Sequence, residues 1–423
     1  MHNSQCIIYN GKISINEVKT KYLFKIVNGA TPSSSNIEYW DGNITWITPA
    51  DMSKCISNII IDSDRKITEE GLNSCGTSLV PAGSIILSTR APIGSVCIAG
   101  VELCTNQGCK ALVAKDNVNE RFYFYYLLIS AELLNSLGRG TTFLELSGSD
   151  LGNFLLPFPK KAKQDEIANY LDQKCAEIDR VVAAKQKQNE LLKEYKQSII
   201  YEAVTKGLDK NVKYKDSGVE WIGEIPEDWE KWKIKYVCDV DKNRLSEDTD
   251  PNYLFKYIDI SSVTEMGGIG ETVEMTFDTS PSRARMIVSK GDTIISTVRT
   301  YLKAIAFIEE SNKYICSTGF AVLTSKKGLL PRFLFYQAQS EYFIQEVVSR
   351  SVGVSYPAIT SSALSNISFF VPSLPTQQRI ADYLDQKCCE IDRIIKSNDD
   401  MITKLKEYRQ SVIYEAVTGK IEM

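Results

Sequence analysis

The chain has 423 residues, 43% hydrophobic and 24% charged, with a formal net charge of −4. This length predicts two or three domains and this composition a soluble globular protein, and with no run of ~18 apolar residues a membrane span is not expected. A single histidine, His2, and eleven cysteines without a C-x-x-C pair argue against a histidine base in a pocket, Cys/His zinc sites and a disulfide framework, and suit reduced thiols in the cytoplasm.

The first stretch, residues 1–158, opens on "MHNSQCIIYNGK", which lacks the basic start and apolar core of a signal peptide. It carries 12 Lys and Arg against 14 Asp and Glu, so it is not a basic domain. Short strand-like runs and frequent turns predict mixed β-sheet with flanking helices. The aromatic run "RFYFYYLL" (Arg121 to Leu128) opens a helical stretch at core spacing and reads as core.

Residues 159–207 then read as one long helix, begun after a proline and ended near Gly207. About 40 residues at 1.5 Å each make a rod of roughly 60 Å, beyond ordinary globular helices. Residues 208–371 form a linker and a second globular stretch, and residues 214–371 within it carry 17 Lys and Arg against 21 Asp and Glu. Residues 372–423 read as a second long helix, ended near Gly419.

The two long segments repeat each other. "YLDQKCAEIDR" (Tyr170 to Arg180) returns as "YLDQKCCEIDR" (Tyr383 to Arg393), and "KEYKQSIIYEAVT" (Lys193 to Thr205) as "KEYRQSVIYEAVT" (Lys406 to Thr418), both 213 positions on. In the same register Asn153 meets Asn366, Pro159 meets Pro372 and Gln164 meets Gln377. The apolar positions alternate three and four apart, as in a coiled-coil stripe. The seam runs Leu171, Cys175, Ile178, Val182, Leu192, Ile199 in the first copy, and Leu384, Cys388, Ile391, Ile395, Ile402, Leu405, Val412 in the second. Polar seam positions such as Lys185, Asn189 and Asn398 fix register at some cost in stability. Fainter echoes join the globular parts: "GSIILSTR" (Gly83 to Arg90) with "GDTIISTVR" (Gly291 to Arg299), and "WITPADM" (Trp46 to Met52) with "YIDISSV" (Tyr257 to Val263). The expected fold is α+β. Two mixed α/β domains are separated by two long helices, which form an antiparallel coiled coil related by a pseudo-two-fold.

These residues resemble a known family. The "EY-x-QS-x-I-x-EAVT" helix ends, the "I-A-x-YLD" helix beginnings, "KDSGVEWIGEIPEDWE" (Lys215 to Glu230), "GATP" (Gly29 to Pro32), "YWDGNITWIT" (Tyr39 to Thr48), "STRAPIG" (Ser88 to Gly94), "STVRTYL" (Ser296 to Leu302) and "STGF" (Ser317 to Phe320) are similar to the specificity subunit of type I restriction–modification systems. The first domain departs from the pattern, with no counterpart of "WIGEIPEDWE". The resemblance implies that each globular part is a target recognition domain for one half of a split sequence in double-stranded DNA. It implies that the helix pair is a ruler and a docking surface for two methyltransferase subunits. Those subunits would bind S-adenosylmethionine and methylate adenine, and a motor-nuclease (restriction) subunit can join.

The chain's own motifs agree with a non-catalytic role. "DPNY" (Asp250 to Tyr253) lacks a second proline and reads as a turn, and neither G-x-G-x-x-G nor a phosphate-binding loop occurs. No cofactor or metal is expected on this chain. DNA recognition needs donors for phosphates, and Arg, Asn or Gln for base edges. The candidate loops supply Ser88, Thr89 and Arg90; Arg139, Thr141 and Thr142; Arg299, Tyr301 and Lys303; and Arg350, Ser351, Ser355 and Tyr356. The acidic balance fits a chain that supplies selection while its partners supply electrostatic affinity. Rival readings are a specificity subunit for a type IIB-like or methylation-only system, a protein-binding scaffold, and a methyltransferase in its own right.

Overall fold

A computed structural model describes residues 16–55, 58–140, 144–219, 222–264, 266–310, 312–353 and 355–421. Two long helices dominate it, Lys161–Lys206 and Leu374–Val417, of 46 and 44 residues. Pro375 falls in the first turn of the second, where a missing N–H breaks no bond within the helix. Gly207 and Gly419 lie just past the helix ends at φ +76° and +71°, the left-handed backbone that glycine adopts without a Cβ clash.

The chain divides into two compact units, one of residues 1–184 with 401–423, the other of residues 185–400. Each long helix therefore gives a part to each unit.

In the first unit a sheet runs in the order Phe24–Asn28, Cys109–Ala114, Ile85–Ser88, Val96–Ala99, Ile59–Ile60. Its pairs are antiparallel except the last. A smaller sheet places Trp40–Ile47 between antiparallel Lys66–Ile67 and parallel Cys104–Thr105. The strand Ile85–Ser88 is buried along its whole length, as its unbroken apolar run requires. Helix Glu120–Ile129 begins at Asn119, whose side chain accepts from the Arg121 and Phe122 amides. Phe122, Tyr123, Phe124 and Leu127 pack there with Leu171 and Cys175 of the first long helix and Val412, Ile413, Ala416 and Val417 of the second.

The second unit repeats the plan. One sheet runs Cys238–Val240, Phe320–Ser325, Thr293–Ser296, Ile305–Phe307. The other places Leu254–Ile258 between antiparallel Val273–Thr276 and parallel Tyr314–Ser317, with Ala284–Ile287 added at the edge. Helix Pro331–Gln339 buries Phe333, Leu334, Phe335 and Tyr336. Their cluster also takes in Ile199, Ile200 and Val204 of the first long helix and Leu384, Cys388, Ile391 and Ile395 of the second.

The lead-in to each unit is alike despite the missing first-domain motif. Glu17–Lys19 pairs antiparallel with Leu155–Pro157, and Glu230–Lys233 with Ser368–Val371, in each case tying the start of a unit to the strand before a long helix.

Two sets of contacts fix each long helix to its domain, and they match residue by residue. Gln164 accepts from the Asn119 amide at 2.8 Å and donates to the carbonyls of Pro159 (2.8 Å) and Asn117 (3.2 Å). Gln377 accepts from the Leu330 amide at 2.8 Å and donates to Pro372 (2.8 Å) and Gly328 (2.9 Å). Both glutamines are fully buried, so these bonds satisfy groups that water cannot reach. Two turns further on, Asp172 accepts from Arg121 and from the Tyr125 hydroxyl, and Asp385 accepts from Arg332 and the Tyr336 hydroxyl. Burial raises the pKa of both phenols, and the bond to the carboxylate adds to it.

Within each unit the helix halves run antiparallel. In the second unit Asn189 donates to Asp399 at 2.8 Å while Lys196, further along, grips both Asp392 oxygens at 2.8 Å, so ascending positions meet descending ones. In the first unit Asp179 faces Arg409 at 3.1 Å, a charge contact not aligned as a hydrogen bond. Leu171, Cys175, Ile178, Ile199, Leu384, Cys388, Ile391, Ile395, Ile402 and Val412 are buried, and Val182, Leu192 and Leu405 are half-buried. Burial pushes the Cys388 thiol up to about 11 and also raises that of Cys175, so both behave as apolar packing groups at neutral pH. Among the described residues no helix is long and apolar enough to cross a membrane.

Candidate functional site

Three separate stretches of chain converge at one place in each unit. In the first unit Thr89, just past strand Ile85–Ser88, donates its amide to Gly108 and accepts from the Leu146 amide, both at 2.8 Å. Glu145 pairs with Arg139 through two backbone bonds of 3.0 and 2.9 Å and bridges to Arg90 on its other side. In the second unit Thr297 donates to Gly319 at 2.8 Å and accepts from Ile359 at 2.9 Å. Ala358 pairs with Val352 at 2.8 and 3.0 Å and bridges to Val298. The backbone scheme is the same bond for bond. It equates Arg90 with Val298, Arg139 with Val352, and Glu145 with Ala358.

This register corrects the sequence alignment, which set Arg90 against Arg299. It also corrects two candidate contact residues. Ser88 and Thr89 are fully buried. The Ser88 hydroxyl donates to the Pro92 carbonyl (2.7 Å) and accepts from the Ser95 amide (2.9 Å), and that of Thr89 reaches the Gly108 carbonyl (3.3 Å). They shape the loop and do not face solvent. Thr141 and Thr142 lie outside the described residues.

The remaining candidates are exposed, apart from half-buried Ser351, and most are engaged. In the first unit Arg90 holds Glu145 at 3.0 Å and Arg139 holds Asp150 at 3.0 Å. Exposed pairs of this kind are worth ~0–1 kcal/mol, so either arginine can exchange its carboxylate for another acceptor. Sequence reasoning missed Lys110, which sits in the strand beneath and is 6% exposed. Burial lowers its pKa, the nearby Glu145 carboxylate opposes that shift, and Arg90 adds to it. A lysine inside the apolar run "CKALVA" (Cys109 to Ala114) was the available signal. The strand pairings equate Lys110 with Ala321. The charged group Arg90, Glu145, Lys110 thus stands where the second unit has Val298, Ala358, Ala321.

In the second unit Arg299 and Lys303 both hold left-handed backbone, at φ +51° and +52°, around the short turn Thr300–Leu302. The Arg299 guanidinium lies 4.8 Å from the Tyr356 ring centre, Lys303 pairs with Glu341 at 2.9 Å, and Arg350 with Glu346 at 2.9 Å. The hydroxyls of Thr300 and Ser351 bond each other at 2.9 Å. Ser355 and Tyr356 are exposed on the neighbouring stretch.

Two matching units, each presenting variable loops from a constant frame and each built on halves of the same two helices, are the architecture of a paired recognition protein. The family model for the type I restriction modification DNA specificity domain matches the chain twice, over residues 14–194 and 226–402, and the chain belongs to that family. It is 27% identical over 420 residues to the type I restriction enzyme MjaIX specificity subunit of Methanocaldococcus jannaschii, covering 96% of this chain and 93% of the relative. It is 23% identical over 334 residues to the EcoBI specificity subunit of Escherichia coli, covering 75% and 69%. The fold is similar to a chain solved in a study of the assembly and conformational transition of a type I restriction–modification system, with TM-score 0.70, 17% identity and coverage of 95% and 97%. It is also similar to the HsdS subunit from Thermoanaerobacter tengcongensis, with TM-score 0.52, 17% identity and coverage of 96% and 97%.

Proposed function

We propose that this chain selects the DNA sequence on which a type I restriction–modification complex acts, with each unit reading one half of a bipartite target through its three converging stretches. One observation carries the reading: the loop-bearing backbone is kept bond for bond in both units while the side chains it presents change from charged to apolar. Duplicated frames with unlike faces suit two unlike half-sites. The long helices, each divided between the two units, set the number of unread base pairs between those half-sites and offer docking faces to two methyltransferase subunits. S-adenosylmethionine and the methyl transfer belong to those partners, restriction subunits join the same assembly, and this chain is not itself catalytic. The isolated chain, with its acidic balance, binds DNA weakly, and the assembled complex binds it tightly.

Mapping methylated adenines across the genome with and without the gene tests this. The expected result is one split motif with a gap of fixed length that vanishes when the gene is removed. An unchanged methylation pattern overturns the reading.

A further inference from the structure

The second unit's loop triangle is apolar where a recognition surface is ordinarily polar. Val352 is 80% exposed, Tyr356 65% and Val298 42%, and Tyr301 stands beside them at 53%. Scattered exposed apolar residues need no explanation, but these sit on three stretches tied together by backbone bonds. The polar side chains around them are already engaged: Thr300 with Ser351, Lys303 with Glu341, Arg350 with Glu346, and Arg299 stacked on Tyr356. Among these groups Val298 and Val352 stand exposed, on two stretches that both pair with Ala358.

We propose that Val298 and Val352 form a contact for the C5-methyl group of a thymine in the half-site read by the second unit; the inference rests on the DNA-reading function proposed above. The thymine methyl is the apolar feature of the major-groove edge, and hydrogen-bonding groups mark the other positions there. An apolar pair on a frame whose twin carries Arg90 and Arg139 fits that feature and no hydrogen-bonding one. The cations Arg299, Lys303 and Arg350 lie around it, and the exposed Lys303–Glu341 pair is weak enough to open so that Lys303 meets a flanking phosphate.

The test uses the complete complex with its methyltransferase and a duplex of the mapped target, replacing each thymine in turn by deoxyuridine, which lacks only the methyl. Removing one methyl from an apolar contact weakens binding roughly fourfold. The expected result is such a loss at one thymine of one half-site, abolished in the double variant Val298→Ser, Val352→Ser. Both residues are exposed, so the variant keeps the wild-type melting temperature. Equal binding of every deoxyuridine duplex overturns the inference, as does undiminished discrimination by the double variant. A double variant that fails to assemble with the methyltransferase also overturns it, by showing that the valines serve a protein contact. A complex with no preference for the mapped target over unrelated DNA instead overturns the proposed function, and the two failures are thereby told apart.

Discussion

The two units share their frame and differ in what the frame displays. Gln164 and Gln377, Asp172 and Asp385, Arg121 and Arg332, and Tyr125 and Tyr336 are identical letters making matching bonds. In the loops, Arg90, Glu145 and Arg139 of the first unit correspond to Val298, Ala358 and Val352 of the second at equivalent backbone positions. Gln164 and Gln377 leave no room for change, because each satisfies several buried groups at once. Side chains whose backbone alone is needed are free to vary. Chemistry therefore diverges where structure is carried by main-chain bonds, and stays fixed where it is carried by side chains.

The comparison can be broken at its constant part first. Gln377→Ala leaves the Leu330 amide and two carbonyls without partners, and at ~1–3 kcal/mol for each unsatisfied buried group the variant should lose about 4 kcal/mol. Gln164→Ala should lose as much. Denaturant melts of the two variants check this, and a large gap between them would show that the frames are not equivalent.

The interhelical charge pairs sharpen the contrast next. Lys196 and Asp392 are 11% and 21% exposed, whereas Asp179, facing Arg409, is 55% exposed. Lys196→Met should cost about 3 kcal/mol, because it strands a largely buried carboxylate. Arg409→Met should cost about 1 kcal/mol, since Asp179 stays in water. The same melts read both values.

At the variable part, Glu145→Ala frees Arg90 and should change stability by less than about 1 kcal/mol. It should relax base preference in one half of the methylation motif and leave the other half intact. Motif mapping in cells carrying the variant decides, and loss of preference in both halves would break the assignment of one unit to one half-site.

The smallest effect concerns a buried carboxylate. Asp292 is 4% exposed, and burial raises its pKa above the ordinary 3.8 despite its bonds to Thr324 and the Ser289 amide. A carboxyl whose folded pKa is raised binds its proton more tightly in the folded state. Its contribution is therefore whole below the unfolded value and is lost as pH rises through the folded one. Asp292→Asn should accordingly gain stability relative to the wild type between pH 4 and pH 7, as paired melts at the two values would show.

Much of this was legible in the sequence. Ten of eleven letters repeated across 213 positions, with apolar residues three and four apart, announced the helices and their seam. Gln164 and Gln377 stood out only as matching letters, since nothing in linear order shows which distant amides and carbonyls they reach. The loops were harder. Setting Arg90 against Arg299 follows the eye to the shared arginine, but Leu146 and Ile359 bond to Thr89 and Thr297, and those bonds put Val298 in the place of Arg90. Ser88 and Thr89 looked available because hydroxyls are polar. Both continue a fully buried strand, where a hydroxyl is tolerated once it finds a carbonyl. Glu145 and Lys110 escaped notice because their roles arise from neighbours 55 and 20 positions distant from Arg90.

The composition of the first unit has a consequence for how the protein is made. Its core includes Val412, Ile413, Ala416 and Val417, so this domain closes only after the whole second unit has been synthesised. A ribosome that stops early releases a chain whose Phe122 and Leu171 still lack their lid, open to proteases. Manufacture itself thus screens out an incomplete reader, one that would direct its enzyme by half of an address.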